Sequence, residues 1–273
     1  MSKSDAVRSM SEPDCTKNTL HELNDLGFNV VGVTDGTPYQ QYLTGCRSAV
    51  VFANGGTLFW DRFMEDIRKY PNHLSNHEHP IDDFVSRCIQ LVDPTPPSSR
   101  RWIQCSETAK VFLDFRVLGK DAGLGHESPL GLLIHPMYGL WVSMRMVLLT
   151  TEAVKIPETI DGIEPPDTTL MVSNPCTTCI EKPCIASCPA GAVTKDGWAV
   201  QTCASFHETS EQCIGKCHSR LACPVGKEHR HSPLQQLYHN SRTIGRKRLG
   251  TLLSIKDHRA GTDPNWTDWT TSK

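Results

Sequence analysis

The chain has 273 residues, 38% of them hydrophobic and 21% charged, and its 28 basic and 30 acidic residues leave a net charge of −2. That composition belongs to a globular protein, not a disordered one, and the charge balance gives no bulk attraction to nucleic acid or to an anionic membrane. The polar N-terminus and the lack of any apolar run near about 18 residues predict no signal peptide and no membrane span, hence a cytoplasmic protein with reduced thiols.

In chain order, residues 20–26 have a helical apolar period that stops at Gly27, and residues 28–33 form a β-branched run typical of a strand. Residues 48–52 repeat the strand signal and end at Asn54-Gly55-Gly56. Helical periods follow at 58–70 and 81–92, the second with Pro80 placed as a first-turn residue. Residues 93–100, with three prolines and two serines, read as a loop, and 106–120 as a helix closed by Ala122-Gly-Leu-Gly125. Residues 131–149 read as two strands about a turn at Pro136 to Gly139, and 157–175 as an acidic, proline-containing linker. Alternating strand and helix signals over about the first 150 residues predict a layered α/β or α+β fold.

Twelve cysteines exceed what a cytosolic core needs. Cys15, Cys46, Cys88 and Cys105 are scattered, whereas eight fall between Cys176 and Cys223. The run Cys176-x2-Cys179-x4-Cys184-x3-Cys188-Pro189 is close to the bacterial ferredoxin spacing, with a longer second gap. Cys203 and Cys213-x3-Cys217-x5-Cys223-Pro224 end in the same Cys-Pro signature. Soft thiolates on short loops suit iron–sulfur cubanes, and in two-cluster ferredoxins the cysteine before proline serves the other cluster. That logic assigns Cys176, Cys179, Cys184 and Cys223 to one [4Fe–4S] cluster and Cys188, Cys203, Cys213 and Cys217 to a second. Structural zinc and reduced core cysteines are the competing readings. Ala190-Gly-Ala-Val193 supplies small residues and amide donors beside the sulfurs. After the cysteines, residues 227–259 carry eight Lys or Arg against two acids, either an ordinary solvated helical face or a contact for RNA.

The stretch Gly131-Leu-Leu-Ile-His-Pro136, then Gly139-x-Trp141-x3-Arg145-x-Val147-Leu-Leu149, resembles CblC-type cobalamin-processing proteins. Gly27-Phe-x-Val30, Phe59-x-Asp-Arg62 and Pro80-x-Asp82 occur in the same order as similar matches in that family, so the resemblance spans residues 20–150. The order Ala122-Gly-Leu-Gly125, Gly131-Leu-Leu, then a ferredoxin module is similar to epoxyqueuosine reductases and reductive dehalogenases. The resemblance implies a nitroreductase-like α/β sandwich over residues 1–165 that binds cobalamin, a bacterial-ferredoxin-like two-cluster domain over 166–235, and a basic C-terminal tail over 236–273. It implies an iron–sulfur oxidoreductase that passes electrons to cobalamin or, through it, to a small molecule, with flavodoxin, ferredoxin or a reductase as donor.

On that basis Gly123, Gly125, His135, Tyr138, Gly139, Trp141 and Arg145 are the candidate corrin contacts, and Glu107, Asp121 and His126 the candidate proton donors. Each has a plainer reading: His135 as a turn residue, Tyr138 and Trp141 as core, and Arg145 as the partner of a carboxylate. Nucleic acid and membrane are not expected partners. The alternatives are an epoxyqueuosine-reductase-like enzyme that meets tRNA through the basic tail, and a ferredoxin with a partner-binding domain.

Overall fold

A computed structural model describes residues 14–106, 111–155 and 173–254. Helix α1 (Asp14–Asp25) leads through the positive-φ Gly27 into strand β1 (Val30–Asp35), and β2 (Ser48–Gly55) returns beside it. Helices α2 (Leu58–Lys69), α3 (Asn72–Ser75) and α4 (Pro80–Val92) follow, then strand β3 (Arg100–Gln104). Pro80 takes the first turn of α4, where its missing N–H is no loss. Helix α5 (Phe115–Asp121) precedes the short strands β4 (His126–Glu127) and β5 (Leu133–Ile134), and β6 (Val142–Thr150) completes the sheet.

The four main strands lie in the order β1-β2-β6-β3, each pair antiparallel. β2 is buried along its whole length because both faces of the sheet are covered. Phe59, Phe63 and Ile67 of α2 and Phe84 of α4 pack with Phe52, Met146 and Leu148 on one face. Leu118 and Leu124 pack with Ala49, Val51, Val147 and Leu149 on the other. This mixed α/β layering agrees with the predicted class.

Several details depart from the sequence reading. The expected hairpin over 131–149 does not form: β5 pairs with β4, and β6 crosses to the middle of the sheet, where its apolar residues meet both cores. His135 and Gly139 close the intervening turn with two reciprocal backbone bonds of 2.8 Å. Of the helix expected over 106–120, the described residues are helical from Phe115, where the Asp114 carboxylate accepts from the N–H of Arg116 and Val117 and caps the helix. β3 was not foreseen. The 157–175 linker lies almost wholly outside the described residues.

The cysteine-bearing segment contains α6 (Pro175–Thr178), α7 (Pro183–Ala186), β7 (Val193–Thr194), β8 (Gly197–Trp198), α8 (Val200–Thr209) and α9 (His218–Ala222). Its apolar cluster is shared with the first lobe, since Cys184, Val193 and Cys223 pack with Leu130, Ile134 and Leu140. Gly139, at φ +58°, and Gly226, at φ +66°, mark a crossing of two backbones: a Cβ on Gly139 would lie 2.1 Å from the Val225 carbonyl oxygen. The chain then returns to the first lobe through α10 (Pro233–Asn240) and α11 (Arg242–Leu252). Tyr238 and Leu249 enter the main core and Arg246 donates to the Leu74 and Ser75 carbonyls, so up to residue 254 the basic segment is a packed helical pair, not a loose tail. Among the described residues no helix is long and apolar enough to cross a membrane.

Candidate functional site

The eight clustered thiols are set on short turns. Asn174 caps α6 by accepting from the Cys176 N–H at 2.9 Å, and Pro175 and Pro183 start the two helical turns that carry Cys176 and Cys184. Lys182, in a left-handed conformation, reaches back to donate to the Cys176 carbonyl at 2.8 Å. Cys217 opens α9 and Cys223 closes it.

In space the thiols act on one another as two sets. Burial, followed by the nearby Cys223, Cys184 and Cys179, pushes the Cys176 thiol up to about 11. Burial, followed by Cys217, Cys188 and Cys203, pushes up Cys213. Cys188 behaves differently. Burial opposes its thiolate, but the N–H groups of Val193, Ala192 and Ala190 outweigh that and hold it below the usual thiol range. A cluster bound by thiolates needs this kind of amide-rich shell. Among the described residues no three His, Cys, Asp or Glu side chains are grouped closely enough to hold a metal ion. Eight soft donors in two loose sets, one lined with N–H groups, fit two cubanes.

The candidate corrin contacts do not share one open face. His135 is buried, and its Nδ1 accepts from the N–H of Met137 and Tyr138 at 3.1 and 3.2 Å, so it serves the turn. Burial, then His229, lowers it to about 4. Trp141 is 1% exposed, between the Arg220 guanidinium and the His231 ring. The Tyr138 ring covers Gly55, and its hydroxyl accepts from the Asn29 amide at 3.1 Å. Gly125 gives room to the Ile134 carbonyl and Gly139 to that of Val225, whereas nothing lies within 4 Å of a Cβ on Gly123. Asp121 is exposed at the end of α5 and His126 lies in β4, both away from Arg145 in sequence and in strand pairing. Glu107 is outside the described residues.

Arg145 does open onto a cavity. β2 pairs Phe52 with Met146 but Ala53 with Met144, so Arg145 is the extra residue of a β-bulge, which re-aims its side chain. Its Nε donates to Asn54 Oδ1 at 2.7 Å and its guanidinium lies 4.7 Å over the Phe59 ring. The cavity, about 130 Å³, is also lined by His79 and Asp82 at the start of α4 and by Tyr238 and His239 at the end of α10. His239 is exposed where it lines the cavity. Behind it, His231 is 3% exposed and its ring stands 5.0 Å from Trp141 and 5.6 Å from His239. Arg220, His231 and His239 carry no motif in the sequence, and no spacing signal links them to Arg145.

No family model and no curated protein sequence matches the chain. Among solved structures it is similar to an epoxyqueuosine reductase crystallised with a tRNA-Tyr epoxyqueuosine-modified stem loop, at 14% identity over 82% of this chain and 68% of that one, TM-score 0.50. It also aligns with the epoxyqueuosine reductase of Streptococcus thermophilus, at 14% identity, 92% and 82% coverage and TM-score 0.49. A third alignment is with the C. elegans B12-trafficking protein CblC, a human MMACHC homologue, at 13% identity, 87% and 96% coverage and TM-score 0.48. The first of these establishes a shared fold.

Proposed function

We propose that this chain is an iron–sulfur electron-transfer protein whose Cys176, Cys179, Cys184 and Cys223 hold one [4Fe–4S] cluster and whose Cys188, Cys203, Cys213 and Cys217 hold a second. Its acceptor is a cobalamin at the first lobe, taken either as substrate or as the means of reducing a small molecule. The observation that carries this reading is the division of the thiols into two sets, with the cysteine before each proline joined to the other run. The fold shared with an epoxyqueuosine reductase supports it.

Clusters of this kind supply single electrons. The rest falls to the chain's own groups. The N–H groups of Val193, Ala192 and Ala190 favour the Cys188 thiolate. Cys184 and Cys223 are buried against Leu130, Ile134 and Leu140, while the other six thiols stay partly open to solvent. At about 130 Å³ the Arg145 cavity has room for roughly four waters, so it would receive a polar side group of the acceptor and not a whole corrin. Arg145 would orient such a group by its terminal N–H donors. An external flavodoxin, ferredoxin or reductase would be the donor.

Anaerobic purification with iron and sulfide analysis, followed by cob(II)alamin titration before and after dithionite, tests the reading. About eight irons per chain and a shifted corrin band that reduces further are expected; zinc in place of iron would overturn the cluster assignment, and an unmoved corrin band the acceptor. A second reading, a tRNA substrate, is favoured by the solved neighbour with its stem loop. Binding of a tRNA stem loop that weakens steeply with salt would support it.

A further inference from the structure

We propose that Arg145 and Asp82 together read a primary carboxamide, and that the polar group their cavity takes from the acceptor is an amide arm on the rim of the corrin. This rests on the cobalamin reading.

Arg145 and Asp82 line the same cavity of about 130 Å³ from different elements, Arg145 from the bulge in β6 and Asp82 from the first turn of α4. Asn54 Oδ1 accepts from the Arg145 Nε at 2.7 Å, and among the described residues the terminal nitrogens of Arg145 have no hydrogen bond. Ser106 Oγ donates to Asp82 Oδ2 at 2.9 Å, and among the described residues Oδ1 has none. The two side chains form no ion pair with each other. A guanidinium and a carboxylate that share so small a cavity without meeting leave donors on one wall and an acceptor on another.

The charges decide what fits between them. An anion would meet the Arg145 donors but be repelled by Asp82, and a cation would meet the reverse. A neutral group that accepts on one side and donates on the other satisfies both walls. A primary carboxamide is such a group, since its carbonyl accepts from the guanidinium and its NH2 donates to the carboxylate, each bond being charge-assisted. His79, Tyr238 and His239, also on the wall, add no carboxylate and no permanent charge to this balance. The corrin rim carries acetamide and propionamide arms, small enough for a cavity with room for roughly four waters.

Visible titration of the full chain, reconstituted anaerobically, with cob(II)alamin tests the pair, because the charge of the bound group sets the sign of each effect. Asp82→Asn keeps an oxygen for Ser106 and puts an NH2 where the free oxygen stood. Arg145→Gln keeps a donor for Asn54 and removes the charge. Each should weaken binding about tenfold, and the double variant by much less than about a hundredfold, because both walls grip one group. Tighter binding in Asp82→Asn with weaker binding in Arg145→Gln would mean that an anionic group enters, and would overturn the inference. Unchanged affinity in both would leave the cavity to water and overturn it equally. Iron content and melting temperature of each variant serve as the folding control; if Arg145→Gln fails it, the sign of the Asp82→Asn effect alone decides. A wild-type chain that takes up iron yet leaves the corrin band unmoved would instead sink the underlying reading.

Discussion

At the scale of single residues, two glycines with similar backbone angles should behave differently. Gly123 and Gly139 both have positive φ, +74° and +58°, but a Cβ on the first meets open space and on the second the Val225 carbonyl. Gly123→Ala should cost about 1 kcal/mol, the left-handed penalty alone. Gly139→Ala adds a clash between two backbones and should cost about 2–4 kcal/mol, measured by denaturant unfolding. His135 offers a pH test. Its native value of about 4 lies below the ordinary 6.5, so the unfolded chain takes up a proton first as pH falls. The neutral ring's contribution is therefore whole above pH 6.5 and is lost on acidification toward pH 4. His135→Asn keeps an acceptor for the Met137 and Tyr138 N–H groups and removes the titration. Relative to that variant the wild type should lose about 2 kcal/mol on going from neutral to near pH 5, and parallel pH profiles for the two would refute the assignment.

Among the elements, α11 matters beyond its length. Arg246 donates to the Leu74 and Ser75 carbonyls at the end of α3, and Leu249 is fully buried in the main core. Arg246→Met would leave those carbonyls without a charged donor, at a cost of about 2–3 kcal/mol. Amide exchange in α11 should then rise well before that in β2; unchanged protection would mean that apolar packing alone holds the helix. The β6 bulge has the opposite character, since it gives up one step of pairing and turns Arg145 toward the cavity.

For the whole molecule, the arrangement of thiols and the return of the chain make the two lobes depend on each other. If the sets are crossed as proposed, Cys188→Ala with Cys217→Ala removes one cluster, leaving about four irons and one resonance signal. Cys176→Ala with Cys188→Ala, though both fall in the first run, should remove both. Equal iron loss in the two double variants would discard the crossing. Because Tyr238 and Leu249 lie beyond the last cysteine yet inside the first lobe's core, chelation of iron should lower the melting temperature of the whole chain in one transition. Two separate transitions would mean that the lobes fold independently.

The sequence alone determined the features that depend on near neighbours. Thiol spacing, the first-turn position of Pro80, the stripe of α2 and the two early strands each follow from a short window in which side-chain period or covalent reach limits the choices. Tertiary structure decided what depends on packing between distant segments. It sealed Trp141 beneath Arg220 and His231, and paired β6 with β2 and β3 instead of β5. It also brought Arg145 and His239, far apart in the chain, to one cavity. No local pattern encodes that meeting, because a one-residue bulge and a returning helix place those side chains, and both take their energy from the core around them.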